Sequence, residues 1–217
     1  MKKGLTELVF ILDKSGSMSG LESDTIGGFN SMLAKQKAVD GECYVTTVLF
    51  NHGYDLIHDR IDIKAISPIT DKEYQVGGAT AFLDAVGMTI NKIGNVQKHT
   101  AKGYRAEKVM FVIITDGEEN ASREFTAEKV RALIERQKEK YSWEFVFLGA
   151  NIDAVETAGR YGISSDRAID YLADREGTDL NFRVLSSAVS LYRASGIVDE
   201  DSFEEIRKDV KRRRGRK

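Results

Sequence analysis

The sequence predicts an α/β domain: a mostly parallel sheet of six strands, one of them an antiparallel edge strand, with helices covering both faces. Three observations carry this expectation. Leu8–Leu12 and Val109–Ile114 are apolar at every position, as strands buried on both faces are. Segments of 3-4 apolar spacing separate the strand-like runs, which is the signature of strand–helix–strand crossovers. One proline and no Pro/Gly/Ser-rich linker occur in 217 residues, so nothing marks a break between domains.

The elements follow in order. The Leu8–Leu12 strand runs into a Gly/Ser cluster, after which Leu21, Thr25, Phe29, Met32, Leu33 and Gln36 are spaced for one helical face. Tyr44–Phe50 is β-branched and aromatic, Asn51-His52-Gly53 is a turn, and Tyr54–Arg60 returns as the antiparallel edge strand. Residues 61–79 read as irregular and hold Pro68; Leu83, Val86, Ile90 and Ile93 then mark a second helix. After the 109–114 strand comes a helix over Thr126–Lys140 with Thr126 as N-cap. A strand at Phe145–Leu148, a short helix at Asp153–Gly162, a last strand at Ala168–Leu172 and a helix carrying Phe182, Leu185, Val189 and Tyr192 complete the pattern. One domain over residues 1–198 is expected, with a short helix and basic tail over 199–217.

Composition excludes several classes. Hydrophobic residues make up 41% and charged residues 30%, an ordinary globular balance. The net charge of −2 argues against nucleic-acid binding through the surface as a whole. Charge is uneven, however: Arg207–Lys217 carries +7, leaving −9 on the rest. The tail reads as a solvated, disordered end or as a contact for nucleic acid or an acidic partner surface. Phe203, Ile206 and Val210 are spaced to pack one helical face on the body, with Lys211 to Lys217 extending into solvent. Cys43, the single cysteine, forms no internal disulfide and reads as core, as do Trp143 and Phe145; His52, His58 and His99 are too scattered for a His-rich metal site. No run reaches the length of a membrane helix, and a cytoplasmic protein is expected.

Chemistry is concentrated where the two-sided strands end. The first runs into Asp13-Lys14-Ser15-Gly16-Ser17 and the 109–114 strand into Thr115-Asp116-Gly117. Ligands of open parallel sheets bind at the carboxyl ends of strands, where the strand order reverses. Neighbouring strands would bring Asp13 and Asp116 together there. Thr80, after Gly77-Gly78, lies before a helix at the same edge. Two carboxylates with the hydroxyls of Ser15, Ser17 and Thr80 make an oxygen-only set, suited to Mg²⁺, with Mn²⁺ or Ca²⁺ as alternatives. Each motif alone reads equally as a helix cap or a turn. Glu118 and Glu119 flank Asp116, either modulating the site or sitting in a solvated loop. Gly16-Ser17-Met18-Ser19-Gly20 has Met at the centre of a would-be nucleophile elbow, and neither a Walker A loop nor Gly-x-Gly-x-x-Gly occurs.

Asp13-Lys14-Ser15-Gly16-Ser17, the later Thr80 and Thr115-Asp116-Gly117 resemble the three-part metal-ion-dependent adhesion site of von Willebrand factor type A domains, Asp-x-Ser-x-Ser, then Thr, then Asp. The likeness extends in element order over residues 5–195 and is nearest to stand-alone bacterial and phage members. It implies a Rossmann-like, doubly wound fold and a divalent ion held by Asp13, Ser15, Ser17, Thr80 and Asp116. It also implies a non-enzymatic role: binding a partner protein through that partner's Asp or Glu, beside an AAA+ ATPase or in a multi-protein assembly. A metal-dependent phosphoesterase and a nucleic-acid-associated protein acting through the tail are the alternatives; the first lacks a further His or acid cluster for a base or a second ion.

Overall fold

The computed structural model describes residues 1–215. Six strands form one sheet: β1 (Lys2–Asp13), β2 (Cys43–Phe50), β3 (Tyr54–Asp62), β4 (Ala106–Thr115), β5 (Glu144–Gly149) and β6 (Ala168–Asp170). Their order across the sheet is β3-β2-β1-β4-β5-β6, parallel throughout except for the antiparallel β2–β3 pair. The helices are α1 (Glu22–Lys37), α2 (Phe82–His99), α3 (Ala127–Tyr141), α4 (Ala154–Arg160), α5 (Arg175–Ser195) and α6 (Glu204–Arg214).

Alternation along β1 explains its unbroken apolar run. Leu8, Phe10 and Leu12 join a core with Phe29 and Met32 of α1, Phe182 and Leu185 of α5, and Ile206 and Val210 of α6. Val9 and Ile11 face the other way, into a core with Val86 and Ile90 of α2, Val130 and Ile134 of α3, and Ala154 and Ala158 of α4. Burying both faces requires apolar residues at every position. The chain winds outward from β1 through β2 and β3, then crosses by α2 to β4 on β1's other side. The strand order therefore reverses between β1 and β4, which opens a crevice at their carboxyl ends.

Strands and helices fall where the spacing placed them, with ends moved by a few residues. β1 begins six residues earlier than its apolar run, because hydrogen bonding to neighbours extends past the apolar stretch. The last strand is shorter than expected, ending at Asp170, and Tyr171 turns into the core. Thr126 caps α3 by accepting from the Lys129 N–H at 3.3 Å.

Phe203, Ile206 and Val210 are buried as their spacing suggested, and α6 continues as helix to Arg214, with Lys211, Arg212 and Arg214 exposed. Arg212 pairs with the buried Asp209 at 2.5 Å, and Arg213 pairs with Asp209 and with Asp174 at the head of α5. The acids of α5 and α6 draw these guanidiniums back onto the body. Arg216 and Lys217 lie outside the described residues.

Candidate metal centre

Backbone bonds assemble the crevice before any side chain contributes. Lys14 N–H donates to the Phe50 carbonyl at 2.7 Å, and Gly77 N–H to the Lys14 carbonyl at 2.9 Å. Gly16 N–H donates to the Gly78 carbonyl at 3.0 Å, tying the loop after β1 to the 77–80 segment. Asn51, at the β2–β3 turn, donates its side-chain amide to the Gly77 carbonyl at 2.8 Å, and its own carbonyl accepts from Ala81 N–H at 2.7 Å. Gly78 has φ +80°, and a Cβ there would stand 2.2 Å from the His52 ring, so only glycine fits beneath that imidazole.

These bonds bring together all five residues expected at the site. Asp13, Ser15, Thr80 and Asp116 are buried and Ser17 is exposed, so the group opens to solvent at one side. The Ser15 and Ser17 hydroxyl oxygens are 3.1 Å apart. Ser17 Oγ and Thr80 Oγ1 lie 3.2 and 3.7 Å from where a Cβ on Gly117 would stand. The absent side chain of Gly117 therefore leaves room beside both hydroxyls. Asp13 Oδ2 accepts from the Asp116 N–H at 3.4 Å, which puts the ends of β1 and β4 in direct contact.

The two carboxylates are held differently. Asp13 accepts from Ser15 N–H through Oδ1 at 2.6 Å and from the Thr115 hydroxyl through Oδ2 at 2.6 Å. Its carbonyl accepts from the buried Tyr74 hydroxyl at 2.5 Å. Asp116 Oδ1 accepts from the Asn151 amide. Burial pushes the Asp116 carboxyl up to about 6; the Asn151 amide opposes this and the Asp13 charge adds to it. Thr80 engages its backbone at both ends, with N–H to Asn120 Oδ1 at 2.9 Å and carbonyl from Asn120 N–H at 3.0 Å. Those bonds aim the residue and leave its hydroxyl out of them.

Two carboxylates, three hydroxyls and an open side fit a hard divalent cation. Among the described residues, no three His, Cys, Asp or Glu gather into a metal-binding group, so any such site draws on hydroxyls. Sequence reasoning did not assign Thr115, Tyr74, Asn120 or Asn151 to the centre. Thr115 was legible as part of Thr-Asp-Gly; Asn120 follows Asp116 in the same loop and reaches Thr80 across 40 residues, and Tyr74 and Asn151 come from other segments. Glu119 sits in the loop after Asp116 and is tied to backbone groups around it. It caps α2 by accepting from Leu83 N–H at 2.8 Å and folds its own loop by accepting from Ala121 and Ser122 N–H at 2.8 and 2.7 Å.

Solved structures share this architecture. A von Willebrand factor type A protein from Catenulispora acidiphila superposes with TM-score 0.55 at 13% identity, over 85% of this chain and 42% of its own. Proximal thread matrix protein 1 from the mussel byssus, described with a zinc-occupied MIDAS motif, gives 0.57 at 12%, over 85% and 46%. The vWF domain of the type V pili tip protein Mfa5 from Porphyromonas gingivalis gives 0.58 at 9%, over 90% and 98%. The chain spans less than half the length of the first two. No family model matches the chain, and no curated protein matches it in sequence. The chain has the von Willebrand factor type A fold.

Proposed function

We propose that this chain is a divalent-cation-dependent protein-binding module rather than an enzyme. The observation that carries this is the convergence of Asp13, Ser15, Ser17, Thr80 and Asp116 at the switch point. Asp13 and Asp116 would supply the charge, and the three hydroxyls would add donors without further charge. Two carboxylates only just neutralise a divalent ion, so the ion would stay electrophilic and keep a position for a partner's Asp or Glu. Mg²⁺ is the ion we favour, and one description of a structural relative already places zinc in such a motif. An AAA+ ATPase or multi-protein assembly as the setting, and a cytoplasmic location, belong to the same proposal. Among the described residues, no helix is long and apolar enough to cross a membrane.

Calorimetry on metal-free protein tests the ion. One Mg²⁺ site is expected, lost in Asp13→Ala and in Asp116→Ala while circular dichroism stays unchanged. Undiminished affinity in both variants would overturn the assignment. Protein binding that needs Mg²⁺ and fails in Thr80→Ala supports the second half; Mg²⁺-dependent turnover of a phosphoester would favour a hydrolase instead.

A further inference from the structure

We propose that Asn151 is a positioning residue for this centre, held in a left-handed backbone conformation so that its side-chain amide clamps one oxygen of Asp116; the proposal rests on the metal-dependent reading above. Asn151 has φ 54°. Positive φ occurs at two other non-glycine residues among those described, and both have local explanations. Ser142 closes the C-terminus of α3, and Arg60 lies on the irregular stretch of the β2–β3 ladder. Asn151 instead sits at the sheet's functional edge.

Its neighbours leave it little freedom. Gly149 is in register with Thr115, the residue before Asp116. Ala150 N–H donates to the Thr115 carbonyl at 3.0 Å, and the Gly149 carbonyl accepts from Tyr171 N–H at 3.0 Å. A Cβ on Gly149 would meet Ile152 at 2.9 Å and Ala154 at 3.1 Å, so this turn is closely packed. Asp153 caps α4 through Glu156 N–H at 2.8 Å, and Ala154 N–H donates to Asp170 at 3.2 Å. A loop fastened on both sides can impose a strained conformation on the residue between.

Glycine would take that conformation more cheaply, and asparagine is among the few other residues that accept it. What asparagine adds is its side chain, and that side chain donates to Asp116 Oδ1. The bond stops rotation of the carboxylate and leaves Oδ2 as its oxygen without a hydrogen bond among the described residues. Partners of metal-binding carboxylates typically change metal affinity by about 10–100-fold.

Wild type, Asn151→Gly and Asn151→Ala are compared by Mg²⁺ calorimetry and by thermal unfolding of metal-free protein. Asn151→Gly should unfold above Asn151→Ala yet bind Mg²⁺ at least about tenfold more weakly than wild type. Asn151→Ala should lose affinity and also unfold lower, because alanine resists positive φ. Equal affinity in wild type and Asn151→Gly overturns the positioning role and leaves the centre standing. An affinity loss confined to Asn151→Ala, the variant that strains the backbone, would make the residue structural and also overturn it. A wild type that binds no Mg²⁺ overturns the metal-dependent reading and this proposal with it.

Discussion

Asp13 and Asp116 are both acids at strand ends, yet their surroundings assign them different tasks. Asp13 is locked by Ser15 N–H and the Thr115 hydroxyl, so its orientation depends on Thr115. Thr115→Val keeps the shape of that side chain and removes the donor; Mg²⁺ affinity should drop by about 10–100-fold with little change in fold, as read by calorimetry and circular dichroism. Wild-type affinity in this variant would show that Asp13 is aligned without it. The Asp116 carboxyl is raised to about 6, chiefly by burial. A cation must displace its proton below that pH. Mg²⁺ affinity should therefore hold above about pH 6 and fall roughly tenfold per unit below it. A flat profile between pH 5 and 7.5 would place Asp116 beyond the ion's influence.

Among the elements, α1 and α5 make the closest helix pair, and a glycine permits it. A Cβ on Gly28 would stand 2.3 Å from the buried Phe182 ring. Helix propensity alone predicts that Gly28→Ala gains about 1 kcal/mol. Overpacking predicts a loss of about 1–3 kcal/mol, because so close an approach forces the buried ring to move. Urea unfolding should show net destabilisation; a gain would mean that the helices separate easily. The α5–α6 junction depends on charge. Asp209 is 7% exposed and is paired by Arg212 and Arg213. Replacing both arginines by alanine leaves a buried carboxylate unpaired, at a cost of about 1–3 kcal/mol, which should appear in the same unfolding experiment.

Over the whole molecule, the acidic body and basic tail partly cancel where α6 meets α5. Arg212 and Arg213 are engaged by Asp174, Glu176 and Asp209, which opposes part of the tail's charge toward a polyanion. Anisotropy on a labelled DNA duplex should show no tight binding at physiological salt; salt-sensitive binding lost on truncating 211–217 would restore the nucleic-acid hypothesis. The sheet also buries Glu7 completely, against Arg60 at 2.9 Å and Gln97 at 3.2 Å. Burial pushes its carboxyl up to about 7, with Arg60 opposing. A pKa raised by folding favours the protonated form, so this contribution is full below about pH 4.5 and is lost as pH rises through 7. Glu7→Gln should flatten the decline in stability between pH 5 and pH 8. An unchanged slope would show that Arg60 compensates the charge fully.

Residues 8–12 and 109–114 were readable as buried strands because two-sided burial leaves an unbroken apolar run, and helical spacing marked the segments between them. Asp13, Ser15, Ser17 and Asp116 were readable because they directly follow such strands, and Thr80 because it follows Gly77-Gly78 before a helix. What tertiary structure alone decided is how that edge is held. The Asn151 amide on Asp116, the Tyr74 hydroxyl on the Asp13 carbonyl and the Asn120 clamp on Thr80 join segments 35 to 61 residues apart. Local periodicity carries no information about such pairings, because they depend on strand order and loop path. Likewise the pairing of Arg212 and Arg213 with Asp174 and Glu176 was not legible, because those acids stand at the start of α5 and meet α6 only once the two helices are packed on the same face of the sheet.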